Sequence, residues 1–274
     1  MKWSDWMASG GWRNLEVVPM VPTVAQQVLE FATDPDVSAQ RIAHVVSRDP
    51  VLATRVLQMA NSAFSGSAME ITSIRDAVVR MGTHPVRNLV TAVCVASLLA
   101  HRGTYGSRGR DLIDHGIGTA YIAWFLAEAA GKSRDEAFVC GLLHDIGKLL
   151  IHQLANRPPA GVPKPATDEL AEVMLEKHAI FGGDLLRWWH LPKPLSDAVT
   201  FHHDPVHAEQ HVRGASVAYA ANRLAHRYGF GCPPEEFDPL TDPVFADIHV
   251  EAAALARIDS QARHMYEMTR QFSA

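Results

Sequence analysis

An all-α architecture follows from three features of the sequence. Helix-start signals recur along the chain: Asp49-Pro50, Ser73-Ile-Arg-Asp76 and Ser133-Arg-Asp-Glu136 each set a capping residue ahead of an apolar run. Apolar residues then recur at helical spacing, as at Leu52, Val56 and Met59. The strict alternation that marks half-buried strands is nearly absent.

The elements follow in order. Val18-Pro-Met-Val-Pro22 opens an apolar helix, and Ser38 caps the next, which should bury Ile42, Val45 and Val46. Asp49 caps a third helix with Pro50 at its first position, where a missing N–H costs nothing. Asn61-Ser62 and Gly66 end that run. The Ser73 box starts a short helix closed by Gly82, and a longer apolar helix runs from about Pro85 to Leu99. The first hundred residues therefore read as a helical bundle. Asn61 is expected to be a cap or turn residue. Arg102-Gly-Thr-Tyr-Gly-Ser-Arg-Gly109 has the composition of a junction.

Beyond it, Gly131 should end one helix, which carries His115, and the Ser133 box should start the helix bearing His144 and Asp145. Arg157–Pro165 is a proline-rich surface loop. A long helix passes through His178 to Trp189 and stops at Leu191-Pro192, and Pro194 opens a short helix ending at His202-His203. A loop rich in Gly, Pro and acids spans Tyr228–Pro243, before a last helix of about 250–272. The expected division is an extension at 1–14, an N-terminal helical subdomain at 15–105, and a second helical subdomain with the C-terminal helix at 106–274. Trp3, Trp6 and Trp12, with Trp188-Trp189, are expected to pack as the terminal segment folds back rather than to anchor an interface.

Composition narrows the function. The 274 residues carry a net charge of −5 and no Lys/Arg block, which argues against a nucleic-acid surface. No apolar run approaches the roughly 18–20 residues needed to span a bilayer, and the N-terminus lacks a signal-peptide core. Cys94, Cys140 and Cys232 match no zinc or disulfide spacing, so a reducing cytoplasm is the expected compartment.

The chemistry concentrates in Gly141-Leu-Leu-His144-Asp145-Ile-Gly147-Lys148. An imidazole and a carboxylate side by side on an apolar helix need a partner, because each unpaired buried polar atom costs roughly 1–3 kcal/mol. A divalent metal would satisfy both. His115, His178, His202 and His203 flank the pair, each near apolar or small residues. Five imidazoles and one carboxylate suit iron, manganese, nickel or zinc better than magnesium or calcium. The remaining histidines, among them His152, His190, His207, His211, His226, His249 and His264, are assigned to packing or solvent.

The order His…His-Asp…His…His-His resembles the HD superfamily of metal-dependent phosphohydrolases, closest to the ligand skeleton of its HD-GYP branch. The first half resembles the HDOD domain, the HD-related output domain of bacterial signalling proteins. That likeness is carried by Val18–Pro22, Arg48-Asp49-Pro50-Val-Leu52, Ala60-Asn61-Ser62-Ala-Phe64 and Ser73-Ile74-Arg-Asp76-Ala77-Val78-x-Arg80-Met-Gly82, over roughly residues 15–230. It implies an all-helical fold in which the N-terminal bundle packs on an HD-like subdomain, a structural role for Asn61, and a regulatory output through a signalling protein partner. With no receiver or sensory domain in these residues, control is expected from partners or from ligand occupancy. The alternative is a metal-dependent phosphohydrolase acting on a nucleotide or another phosphorylated small molecule.

The resemblance also implies site roles. His115, His144 and Asp145 stand where one ion is held, and Asp145, His178, His202 and His203 where a second is. Asp145 would bridge a dinuclear centre, and Lys148 matches the lysine that contacts phosphate. Two departures matter. Ala221-Asn222-Arg-Leu224-Ala225 puts Asn222 where the superfamily has a carboxylate ligand, and a neutral amide is the poorer donor. The Gly-Tyr-Pro signature after the double histidine is replaced by Asp204-Pro-Val-His207, which argues against cyclic-dinucleotide hydrolysis.

Overall fold

The computed structural model describes residues 2–14, 27, 37–48, 50–63, 71–99 and 106–273. Among them every regular element is helical, with no strand. The order is α1 (Trp3–Ala8), α2 (Ala39–Val46), α3 (Pro50–Ala63), α4 (Ile74–Met81), α5 (Thr83–Leu99), α6 (Gly106–Ala129), α7 (Arg134–Leu143), α8 (Ile146–Asn156), α9 (Thr167–Trp188), α10 (Lys193–Thr200), α11 (Val212–Tyr228), α12 (Pro243–Asp247) and α13 (Ala252–Ser273). The helix opening at Val18–Pro22, the Asp49 cap and the Gly66 stop lie outside the described residues.

Three serine caps form as the sequence predicts. Ser38, Ser73 and Ser133 each accept from the backbone N–H three residues on, at 3.2, 3.0 and 3.4 Å. At Ser73 the reciprocal half of the box is between side chains: its hydroxyl donates to the Asp76 carboxylate at 2.7 Å. Gly131 ends α6 in a left-handed turn, with Lys132 N–H returning to Ala127 O at 2.9 Å. One expectation shifts. Helix α6 already begins at Gly106, so residues 106–109 of the presumed junction form its first turn. Glycine propensity costs about 1 kcal/mol per residue in a helix, and the packing of the turns that follow outweighs it.

Two apolar cores result. One gathers Ile42, Val45, Val46, Leu52, Val56, Val78, Val86 and Leu89 from α2–α5. Asn61 pins the chain beside it, donating to Leu57 O and Ile71 O at 3.0 and 2.9 Å and accepting from Ile71 N–H at 2.8 Å. The larger core surrounds α6, which packs along α7, α11 and α13, while α9 lies between α8 and α10. Trp3, Trp6, Met7 and Trp12 are buried in this second core. Ser4 N–H donates to Glu169 at 2.9 Å and Arg13 pairs with Asp184 at 2.8 Å, so the N-terminal residues are fastened to α9. The tryptophans are thus core residues, as the folding-back expectation has it. Helices α5 and α13 link the two cores, α5 meeting α7 and α13 meeting α3 and α5. No described helix is long and apolar enough to cross a membrane.

Candidate metal centre

The His-Asp pair does not sit within a helix, as the sequence suggested. Helix α7 ends at Leu143, His144 keeps helical dihedrals, and Asp145 leaves them (φ −98°, ψ 9°) before α8 starts at Ile146. The break has a packing cause. A Cβ on Gly147 would lie 1.9 Å from His178 O, so α8 runs against α9 at a distance only glycine allows. That approach places the Asp145 carboxylate in front of the imidazoles of α9 and of the turn after α10; α10 ends at Thr200 rather than at the expected His202-His203.

Asp145 is the hub. Its Oδ1 faces His178 Nε2 at 3.3 Å and His202 Nε2 at 3.8 Å. Its Oδ2 faces His144 Nε2 at 3.3 Å, His115 Nε2 at 3.9 Å and the Lys148 ammonium at 2.6 Å. His203 Nε2 stands 3.0 Å from His178 Nε2. Donors therefore fall into two groups around Asp145, His178/His202/His203 and His115/His144/Asp145, with a third, His115/His226/Cys232, beside them; each lies within 4.8 Å.

The other ring nitrogens explain which way the rings face. Nδ1 of His115, His144, His178 and His202 lies 3.0, 2.7, 2.7 and 2.7 Å from the carbonyls of Phe230, Gly141, Met174 and Val199. A carbonyl only accepts, so each Nδ1 carries the proton and each Nε2 presents a lone pair inward. Metal-binding histidines are oriented in this way. The consequence is an excess of acceptors: His144 Nε2, Asp145 Oδ1 and His202 Nε2 are buried with no hydrogen-bond partner. Two ligand atoms each about 2.1 Å from one ion stand roughly 3.0–3.5 Å apart, close to the shorter separations here. The residues present thus fit a transition metal, because a cation supplies what several converging lone pairs lack.

Electrostatics point the same way. Burial pushes His115 down to about 4, aided by His144, and holds His202 well below the usual imidazole range. His203 is lowered to about 4, by burial and then by His178. For Asp145, burial alone would raise the carboxyl, but the neighbouring His144 and Lys148 outweigh it and hold it well below the carboxylate range. Neutral His115, His202 and His203 around an ionised carboxylate are in the ligand-ready state.

Asn222, on α11, puts Oδ1 3.0 Å from His115 Nε2. With the His115 proton on Nδ1, two acceptors face each other. Only the amide nitrogen, or a cation, satisfies that contact. An open groove of about 970 Å³ leads to the centre, lined by Lys148, His178, His203, His226, Thr200 and Asp204. The structure thus brings together His115, His144, Asp145, Lys148, His178, His202, His203 and Asn222. Two further neighbours are His226, which the sequence assigns to packing or solvent, and Cys232, which matches no zinc or disulfide spacing. The His226 ring lies 4.7 Å from that of His115, and Cys232 Sγ is 4.0 Å from His115 Nδ1. His226 is one turn after Asn222 on the same face, and that i, i+4 spacing was the available signal.

The family follows from comparison with known proteins. The HDOD domain model matches residues 18–205. The chain belongs to the HDOD domain family. An uncharacterised Treponema pallidum (strain Nichols) protein is 27% identical over 220 residues, 76% of this chain and 42% of that protein. The chain thus spans less than half the length of the curated relatives it matches. Among solved structures, an HDOD domain protein of unknown function from Geobacter sulfurreducens shares 22% identity, with a TM-score of 0.73 over 98% of this chain and 96% of that one. A Shewanella amazonensis SB2B protein provisionally named a phosphohydrolase shares 24%, with a TM-score of 0.68 over 99% and 98%. These likenesses carry the all-helical HDOD fold to this chain.

Proposed function

We propose that this HDOD protein is a signalling module that acts through contacts with a protein partner and holds a transition metal at Asp145. The observation that carries the metal is the set of buried donors, His144 Nε2, His202 Nε2 and Asp145 Oδ1, left with no partner but one another. Leaving them so would cost roughly 1–3 kcal/mol each. His178, His202, His203 and Asp145 Oδ1 would hold the tighter ion. His115, His144 and Asp145 Oδ2 would hold a weaker one, because Asn222 withholds a negative charge and Lys148 already pairs with that oxygen. Iron, manganese, nickel or zinc suit such a donor set. The ligands come from α6, the α7–α8 break, α9 and the end of α10, so occupancy would tie together helices that carry the outer surface.

A second reading is favoured by one observation. Lys148 is partly exposed where the groove meets the centre, placed to pair with a phosphate oxygen. A bound ion supplies Lewis acidity toward a phosphoryl group and toward water. The same centre would then hydrolyse a phosphoester on a nucleotide or another small molecule. The deciding experiment is metal analysis of the purified full chain beside Asp145→Ala, followed by a phosphoester screen. We expect one to two equivalents in the wild type and none in the folded variant. Metal-free wild-type protein after reconstitution would overturn the metal reading, and turnover that survives in Asp145→Ala would overturn the hydrolase reading.

A further inference from the structure

The end of α11 and the loop after it carry donors that the Asp145 centre does not use, two of which, His226 and Cys232, also lie within 4.8 Å of a His115 ring nitrogen. Gly229 turns the chain in a left-handed conformation, and Phe230 N–H returns to Ala225 O at 3.0 Å. Pro233-Pro234 then stiffens the return, and Glu235 N–H closes it on His226 O at 3.1 Å. Gly231 presses against α6: a Cβ there would lie 2.2 Å from Asp111 O and 2.5 Å from the His115 nitrogen. The loop is therefore a preformed clamp rather than a free excursion.

Inside it, His226 Nδ1 lies 3.4 Å from Cys232 Sγ and 3.3 Å from Glu235 Oε1. Arg223 holds the other carboxylate oxygen at 3.6 Å. One imidazole nitrogen offers at most one proton, yet it faces both a thiol sulfur and a carboxylate oxygen. A tetrahedral ion bound at about 2.3 Å to sulfur and about 2.1 Å to nitrogen and oxygen would separate those donors by roughly 3.3–3.6 Å. The two spacings that share His226 Nδ1, 3.4 Å to sulfur and 3.3 Å to oxygen, lie close to the corresponding edges.

We propose that Cys232 Sγ, His226 Nδ1 and Glu235 Oε1 form a separate site for a thiophilic divalent cation of the zinc type. Binding replaces the thiol proton, so the Cys232 S–H bond breaks, an S–metal bond forms and one proton leaves to solvent. Thiolate with imidazole selects zinc or cobalt over magnesium and calcium. His226 lines the groove, so the remaining position faces it. The consequence reaches the first centre through the backbone. An ion here locks the loop whose Phe230 carbonyl receives His115 Nδ1–H and so fixes that ring. The site stands whether or not Asp145 holds metal.

The test is titration of the full-length, metal-stripped protein with Co²⁺, read by the thiolate-to-cobalt charge-transfer absorption in the near ultraviolet. We expect a band saturating at one equivalent, abolished in Cys232→Ser, weakened in His226→Gln and retained in Asp145→Ala. Retention in Asp145→Ala separates this site from the first centre. If Cys232→Ser fails to fold by circular dichroism, the His226→Gln titration decides in its place. No band in the wild type, or a band unchanged in both loop variants, overturns the site.

Discussion

Two buried carboxylates near α7 have opposite fates. Asp135, in its first turn, is closed by α5: the Arg87 guanidinium pairs with Oδ2, and His84 Nδ1 lies 2.9 Å from Oδ1. Both oxygens have partners, and the cluster ties α5 to α7. Asp145, just past the end of the same helix, has Oδ1 without a hydrogen bond and imidazole lone pairs turned toward it. Burial is comparable, 7% exposure for each. The difference lies in the partners. A closed set of charges holds a structure together, whereas a buried set one cation short is suited to take one up.

The comparison breaks most visibly at the closed cluster. Asp135→Ala removes the carboxylate that pairs with the buried Arg87 guanidinium, and breaking a buried pair in this way costs about 3–5 kcal/mol. Urea denaturation reads this directly, and a loss below about 1 kcal/mol would remove Asp135 from the ties that hold α5 to α7. Asp145→Ala, by contrast, should leave the metal-free fold standing, since it deletes an acceptor from a set already short of donors.

Acid should sharpen the contrast next. The His115 value falls from 6.5 unfolded to about 4 folded, so the unfolded chain binds the extra proton between these limits. The contribution of His115 to the stability of the metal-free protein is then fully present above about pH 6.5, declines toward pH 4 and levels off below it. Thermal melts across that window check the slope, and His115→Gln should flatten it. A melting temperature that rises on acidification over the same range would contradict the buried, neutral ring.

The smallest effect is expected at Asn222. Asn222→Asp restores a carboxylate beside His115 Nε2 and should raise affinity for the ion at His115 and His144 by about tenfold, the lower end of what shell changes produce. Isothermal titration of stripped protein with Mn²⁺ or Zn²⁺ would measure it. Unchanged affinity would mean that the amide is not what weakens that position.

The sequence alone carried the family, the all-helical architecture and the caps at Ser38, Ser73 and Ser133, because these are written in local chemistry: an oxygen one turn ahead of an orphan N–H, or a motif in a fixed order. It also supplied the histidines that surround Asp145, through their order rather than through any geometry. Tertiary structure decided the rest. The break between Leu143 and Ile146 depends on how closely α8 meets α9 at Gly147, and a neighbouring helix leaves no mark on the local pattern. His226 and Cys232 looked like background because their meeting with His115 is made by a return loop pressed against a helix more than a hundred residues earlier in the chain. Whether a buried acid is sealed, as Asp135 is, or left open, as Asp145 is, depends on groups brought from distant elements. Local sequence fixes which way the backbone hydrogen bonds run, and only the packed helices fix which lone pairs end up facing one another.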